Sequence, residues 1–515
     1  MRRAPLVLAA TSLAAFTATL DNTVVAVALR DVQADLGAGV TGLQGVVTGY
    51  TVALAALLLT GGALADVLGR RRVFLTGLAV FAGASAGCAL AGSVPALIVW
   101  RVVQGAGAAL VLPGGLALLA AAYDEPARRA RAIGVWAASG GLALVAGPVA
   151  GGLLVAAYGW PAVFWVNLPL AALIAAVALT CPGGGPERGR RLDVPGSVLT
   201  AVVLGFATYA VVVAGRDGLG GPVVGCLAVA AVAAALLARV ERRSSAPVLP
   251  LTLLRDRAFT GSFAGAFAAS LAVFVLLVFL SLFLQLVQGR DALPAGLQLL
   301  PLTVALVVTA PLAGRWAGRR GSRSPVVVGL AMTGVALLGL GALLTVHASG
   351  MLLGTALAVA GVGVGLTTAP VVTASLGAVA ADRGGLASAT VSVARELGGV
   401  VAVAGLGALA VTRLGAGLTR SLLRLGVAPG QTRPLVDALL EVRTGEVARL
   451  LLRDLGLDGA LKARLPLQAA AEVSFTASTR VVLSGAGLVL LVTAAVCAVL
   501  LRPAAGRPIG DPGAP

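Results

Sequence analysis

The chain has 515 residues, 58% of them hydrophobic and only 11% charged, with a mean hydropathy of +0.99. Soluble domains carry roughly a quarter charged residues, and no soluble core could hide this much apolar surface, so lipid is the solvent for most of the chain. A net charge of +17 points to nucleic acid in a soluble protein; here the cations stand between apolar runs with no aromatic-interleaved basic patch, and nucleic acid is not an expected partner.

Apolar runs long enough to cross a bilayer recur from end to end. In chain order the expected spans are 6–29, 46–65, 73–92, 97–121, 132–157, 162–180, 194–214, 222–238, 259–285, 295–313, 325–346, 351–377, 387–411 and 480–501. They make an all-α polytopic membrane protein of fourteen helices. The opening "MRRAPLVLAATSLAAFTATL" imitates a secretory signal, but its apolar run does not stop at a cleavage site, and it reads as the first span. One set of loops is rich in arginine: "DVLGRRR", "YDEPARRAR", "CPGGGPERGRRLD", "RVERRSSAPVLPLTLLRDR", "GRWAGRRGSRS" and "ADRGG". The opposite short loops hold only Arg30, Arg216 and Arg290. The positive-inside rule then puts the Arg-rich loops and both termini in the cytoplasm, with the chain in the inner (plasma) membrane.

Residues 412–479 differ from the other connections. In this long outward segment Leu435, Leu439, Val442, Leu450 and Leu455 recur at near-helical spacing among charged residues, the pattern of an amphipathic surface helix, with a role in gating substrate exit as an option. Setting the seventh and eighth spans aside leaves six on each side, and "GGALADVLGRRR" (61–72) is loosely like "APLAGRWAGRRGSR" (310–323). The expected organisation is a six-helix half over 1–180, a linker with two extra spans over 181–258, and a second half over 259–515 that includes the long outer loop.

The charges inside the spans are few. In "TATLDNTVVAVAL" (17–29) Asp21 stands alone, about 15 residues or roughly 22 Å into its helix. A carboxylate at that depth is protonated, paired with a cation or facing a wet cavity, and one that switches among these states is a proton carrier. A permanent ion pair or a helix-end hydrogen bond is the structural alternative. Arg101 is the obvious cation, with a tether to backbone carbonyls as its own alternative. Arg395 and Glu396 form a second charged cluster in the thirteenth span, read either as a local or interhelical salt bridge or as a second coupling site.

"GALADVLGRRR" places Asp66 at a helix end, Gly69 at a tight turn and Arg70, Arg71 and Arg72 before the next helix. A carboxylate there can pair with cations and helix termini across a closing cytoplasmic face, although the arginines alone need be only a positive-inside anchor. Cys88, Cys181, Cys226 and Cys497 have no metal or redox spacing, and His347 reads as an interfacial residue. No metal site, cofactor, P-loop or hydrolytic residue set is expected, and neither is an enzyme.

The order G-x-L-A-D-x-x-G-R-R resembles the loop signature of the major facilitator superfamily. "RVVQGAGAA" (101–109) looks like its fourth-span motif, and "GPVAGG" (147–152), with Gly147, Pro148, Gly151 and Gly152, is similar to the fifth-span motif of its antiporter branch. "LDNTVVAVAL" resembles the first-span motif of the fourteen-span drug:proton antiporters, and "GWPAVFWVNLP" (159–169) and "SVARELGG" (392–399) fit the same branch. Departures are Ala26 for Asn, Arg30 for Pro, Val67 for Arg, Pro161 and Ala162 for an Arg-Trp pair, and Glu396 where Gln is common. The resemblance implies a monomeric, proton-coupled secondary transporter that exports small amphipathic compounds such as drugs or antibiotics by alternating access. Export of one endogenous metabolite, lipid, siderophore or amino acid is the alternative. It also implies that the first and fourth spans line the central cavity, so that Asp21 and Arg101 can sense each other.

Overall fold

The computed structural model describes residues 3–37, 40–181, 193–217, 220–244, 253–290, 292–379, 384–424, 432, 436 and 467–501. The described residues are helical, with turns between. The long helices are α1 (Ala4–Leu36), α2 (Val40–Leu68), α3 (Arg70–Ala89), α4 (Val94–Ala121) and α5 (Pro126–Tyr158). A short α6 (Ala162–Trp165) runs into α7 (Asn167–Thr180), followed by α8 (Val194–Asp217) and α9 (Gly221–Glu241). Next come α10 (Arg257–Val275), α11 (Ala292–Arg320), α12 (Arg323–Leu343), α13 (Gly350–Gly377), α14 (Gly384–Val400), α15 (Leu406–Arg424) and α16 (Leu467–Leu500). Two π-helical segments, Leu276–Leu280 and Phe283–Val287, carry α10 onward, and a third, Val401–Gly405, joins α14 to α15.

Thirteen helical stretches among the described residues are long and apolar enough to cross a bilayer. Helix α5, with 33 residues, lies where the sequence places a further span. Several helices outrun the hydrophobic stretches that announce them. The thirteenth span does not end near 411, because α15 continues to Arg424, and the last helix starts at Leu467, not near 480. Ser478 of α16 donates to the Ala410 carbonyl, and Gly417 lies against Ser474, so the two extensions support each other. Most of the expected amphipathic helix over 412–479 lies outside the described residues.

Helices α1 to α7 pack on one another, and so do α10 to α16. The close approaches are made by glycine: a Cβ on Gly61 would meet the Ala109 backbone, and one on Gly107 the Phe81 backbone. The two sets meet through α2 with α14 and through α5 with α11. The residues in contact are Gly62 with Gly385 and Ala389, Gly134 with Ala310, Gly314 with Ala130, and Gly318 with Ala127. All of these lie toward the ends of their helices that carry the Arg-rich turns. Gly69 makes the α2–α3 turn at φ 96° and Gly321 the α11–α12 turn at φ 82°, left-handed values that glycine adopts without a Cβ clash. Helix α8 packs on α2 and also on α14, α15 and the Val401–Gly405 segment, so it bridges both sets, with α9 outside it.

Candidate functional site

Asp21, Arg101, Gln104, Asn167 and Ser85 form one fully buried polar cluster among α1, α3, α4 and α7. Arg101 Nη1 donates to Asp21 Oδ2 at 2.6 Å and to Gln104 Oε1 at 2.7 Å. Asp21 Oδ1 accepts from Gln104 Nε2 at 2.9 Å and from Asn167 Nδ2 at 2.6 Å. Ser85 Oγ accepts from the same two amides, at 2.6 and 3.2 Å. Arg101 Nε donates to the Val46 carbonyl of α2 at 3.2 Å, and the guanidinium carbon sits 4.3 Å from the centre of the Tyr50 ring. Arg101 Nη2 and Asn167 Oδ1 have no hydrogen-bond partner.

The local sequence explains the assembly. Arg101 and Gln104 are three apart on α4 and share a face, and Asn167 stands at the first position of α7, after the break that ends α6. Of the states open to Asp21, the structure therefore has the paired one. Three charge-assisted hydrogen bonds hold the carboxylate ionised in a low-dielectric setting, and removing one member of such a pair typically destabilises by about 3–5 kcal/mol. Reading the sequence missed Ser85 and the part played by Asn167. The amide was visible as a polar residue opening an apolar run; a lone serine in a small-residue helix carries no such signal.

The expected switch loop is at the Arg-rich end. Asp66 Oδ1 accepts from the Gly385 amide at 2.9 Å and Oδ2 from the Leu386 amide at 3.2 Å. The carboxylate thus caps the N-terminus of α14 from α2, where unsatisfied amides and the helix dipole favour a negative charge. Arg70 Nε lies 3.8 Å from Asp66 Oδ1, with its guanidinium beside Gly384. Arg71 points elsewhere: its Nη1 donates to the carbonyls of Cys181 at 2.5 Å and Leu179 at 3.4 Å, closing the end of α7.

In the fifth-helix motif, Gly147 packs on Thr23 and Gly151 on Val24, so the motif seats α5 against α1 two and three residues beyond Asp21. Gly152 faces open space, and Pro148 lies inside the single helix α5. Arg395 and Glu396 are half-buried in the middle of the molecule, where the fully buried run 384–394 of α14 ends. No ion pair joins them, so the salt bridge expected there is not formed. Arg395 crosses to α5, where its guanidinium lies 5.8 Å from the Trp136 ring centre. Glu396 stands near enough to Tyr50 for its charge to act there. Tyr50 is thus placed between the buried Asp21–Arg101 pair and the second cluster.

A helical bundle with a buried intramembrane ion pair and a carboxylate bridging its two sets of helices is the frame in which the comparisons are read. The sequence profile of the Major Facilitator Superfamily matches residues 11–403. The chain belongs to the major facilitator superfamily. It is 36% identical over 445 residues to the multidrug resistance protein Stp of Mycobacterium tuberculosis, covering 85% of this chain and 81% of that one. It is 34% identical over 393 residues to the methylenomycin A resistance protein of Streptomyces coelicolor, covering 76% and 82%. Over 405 residues it is 35% identical to the tetracenomycin C resistance and export protein of Streptomyces glaucescens, covering 77% and 74%. Among solved structures, the proton:xylose symporter XylE bound to a bromodeoxyglucose superposes with a TM-score of 0.56 over 90% of this chain and 99% of that one, at 15% identity. The human organic anion transporter MFSD10 does so with 0.56, over 95% and 99%, also at 15%. These two likenesses are of fold alone. As a member of the superfamily, the protein is a multi-pass membrane transporter.

Proposed function

We propose that this transporter exports small amphipathic compounds, drugs or antibiotics among them, in exchange for protons. The observation that carries the coupling is the Asp21–Arg101 pair, an ionisable carboxylate and its cation buried at bonding distance deep in the first set of helices. The names of the relatives, all resistance or export proteins, support the cargo. The Arg-rich loops and both termini face the cytoplasm by the positive-inside rule, and the chain works as a monomer in the plasma membrane. Its two six-helix halves, 1–180 and 259–515, rock about a midplane site, with 181–258 as the inserted pair.

In that orientation the Asp66 cap on α14 closes the cytoplasmic side, and the arrangement faces outward. A proton from outside neutralises Asp21 and weakens its hold on Arg101. Arg101 then turns toward its remaining acceptors, the Gln104 amide oxygen and the Val46 carbonyl. Release of the Asp66 cap opens the cytoplasmic face, the proton leaves there, and cargo enters to be carried out. Glu396 and Arg395 face the space between the halves as a second charged site for coupling or cargo.

Few acids lie within the spans, so neutral or singly charged compounds are the favoured cargo. A single endogenous or antibiotic cargo is the second reading, favoured by the single compounds named in the methylenomycin A and tetracenomycin C proteins. The test is uptake of a compound panel into everted membrane vesicles under a proton gradient. Accumulation that a protonophore abolishes, and that Asp21→Asn loses while remaining folded, is the expected result. Equal uptake by wild type and Asp21→Asn would remove Asp21 from the coupling path.

A further inference from the structure

Between α2 and α8, on the outer side of the bundle, lies an apolar cavity of about 570 Å³. Its floor is the stripe Ser197, Ala201 and Gly205, one helical turn apart on α8, where small side chains leave the space. Phe206 and Tyr209 stand on its rim, 39% and 45% exposed toward the bilayer. The groove runs parallel to the helices from Ser197 to Tyr209, twelve residues and about 18 Å at 1.5 Å per residue. One leaflet's hydrocarbon is about 15 Å deep, half of a ~30 Å core. Groove and leaflet have matching lengths.

The polar groups are gathered at one end. Thr60 of α2 faces Ser197 of α8 and donates to its carbonyl at 3.5 Å. Ser197 itself is 5% exposed, lines the groove, and its Oγ has no partner. A buried hydroxyl in an otherwise apolar cavity asks for an acceptor. Ser197 sits less than one turn past Val194, where α8 begins on the Arg-rich side. That is the depth at which the ester carbonyls of a phospholipid meet the hydrocarbon.

The groove does not lead to the space between the two sets of helices. Leu57, Leu204 and Leu397, from α2, α8 and α14, pack on one buried cluster behind it. A compound lodged in the groove is therefore off any route to a central site, and the occupant that suits it is the solvent of this surface. We propose that the α2–α8 groove binds one acyl chain of a phospholipid from the leaflet on the Arg-rich side, with the Ser197 hydroxyl donating to its ester carbonyl. The lipid mortises the inserted α8–α9 hairpin onto α2. Because α8 also leans on the Val401–Gly405 π-segment, the bound chain steadies the seam where α2 and α14 meet. The site stands apart from the transport reading and would survive its failure.

The test uses the full chain, reconstituted in vesicles of phosphatidylethanolamine and phosphatidylglycerol, re-extracted in mild detergent and weighed by native mass spectrometry. Wild type should keep one phospholipid through a wash that strips the annulus. Ala201→Phe fills the floor and should lower occupancy about tenfold or more, by overpacking. Ser197→Ala removes only the donor and should lower it about three- to tenfold. Val229→Phe on the outer face of α9, 41% exposed, should leave it unchanged. Wild type keeping no lipid, or a folded Ala201→Phe keeping as much as wild type, would overturn the proposal. So would equal loss in Val229→Phe. Should Ala201→Phe not fold, undiminished retention in Ser197→Ala refutes it alone.

Discussion

Replacing Asp66 with alanine tests the closure of the Arg-rich face. The carboxylate is fully buried and accepts from two amides at the start of α14, at 2.9 and 3.2 Å. Hydrogen bonds to a charged group are worth about 1.5–3 kcal/mol each, but when the face opens both partners regain water, so the net per bond is nearer the 1–2 kcal/mol of a helix cap. Two bonds then favour the closed face by about 2–3 kcal/mol, and their loss should shift the open-to-closed ratio roughly 30- to 150-fold. Nitroxide labels on cysteines at positions 128 and 320, both exposed on that face, report the separation of α5 and α11. With the native cysteines replaced by alanine, pulsed dipolar spectroscopy should give a single short distance for the parent. Asp66→Ala should add a dominant longer one, and Asp66→Asn, which keeps one acceptor, an intermediate mixture. A distribution for Asp66→Ala that superimposes on the parent would show that the cap does not hold the face closed.

Gly385→Ala attacks the same closure from the other side. Its Cβ would lie 2.6 Å from Asp66 Oδ1 and against the Gly62 carbonyl, so the longer distance should appear with the cap residues intact; an unchanged distance trace refutes the packing argument. Asp21→Asn should lower stability in detergent by about 3–5 kcal/mol, because Arg101 is left charged and buried. Adding Arg101→Gln should recover part of that loss, read as a rise in Tm over the single variant; a further fall would mean the pair does not act as a pair. Glu396→Gln, at a carboxylate with no ion-pair partner, should leave Tm within about 1 kcal/mol of wild type. It should nevertheless change the relative uptake of cationic over neutral compounds in vesicles; a preserved preference would exclude Glu396 from cargo recognition.

Hydropathy made the spans legible, because a lipid-facing helix must be apolar around most of its circumference. It was blind to helix beyond the hydrocarbon, where α1 runs on to Leu36, α15 to Arg424 and α16 begins at Leu467. Asp21 and Arg101 were legible as charges that no bilayer tolerates alone. The amide groups that complete their cluster were weaker signals, since Gln104 and Asn167 are polar without being forbidden, and Ser85 gave none. The partner of Asp66 could not be read at all: it is backbone, 319 positions away along the chain, and a peptide N–H has no letter in a sequence. The adjacent Arg395 and Glu396 invited a bridge by proximity in the chain, but neighbours on a helix point about 100° apart, and each faces a different helix.

The buried pair and the cap lie toward opposite ends of the same helices, and α2 carries groups of both. Near one end the Val46 carbonyl accepts from Arg101 Nε and the Tyr50 ring covers the guanidinium. Near the other, Asp66 holds the first amides of α14. Sixteen residues separate Tyr50 from Asp66, about 24 Å of α-helix. Along that length Gly105 of α4 abuts the Tyr50 backbone, and Gly61 abuts the Ala109 backbone, so backbone rests on backbone with no side chain between to absorb a shift. A helix seated in this way is displaced as a body. A change in what Arg101 grips at one end of α2 is therefore expressed at the other as a change in where Asp66 stands relative to the Gly385 and Leu386 amides. That geometry joins a protonation event deep in the bundle to the opening of its far face without any contact between the two sites.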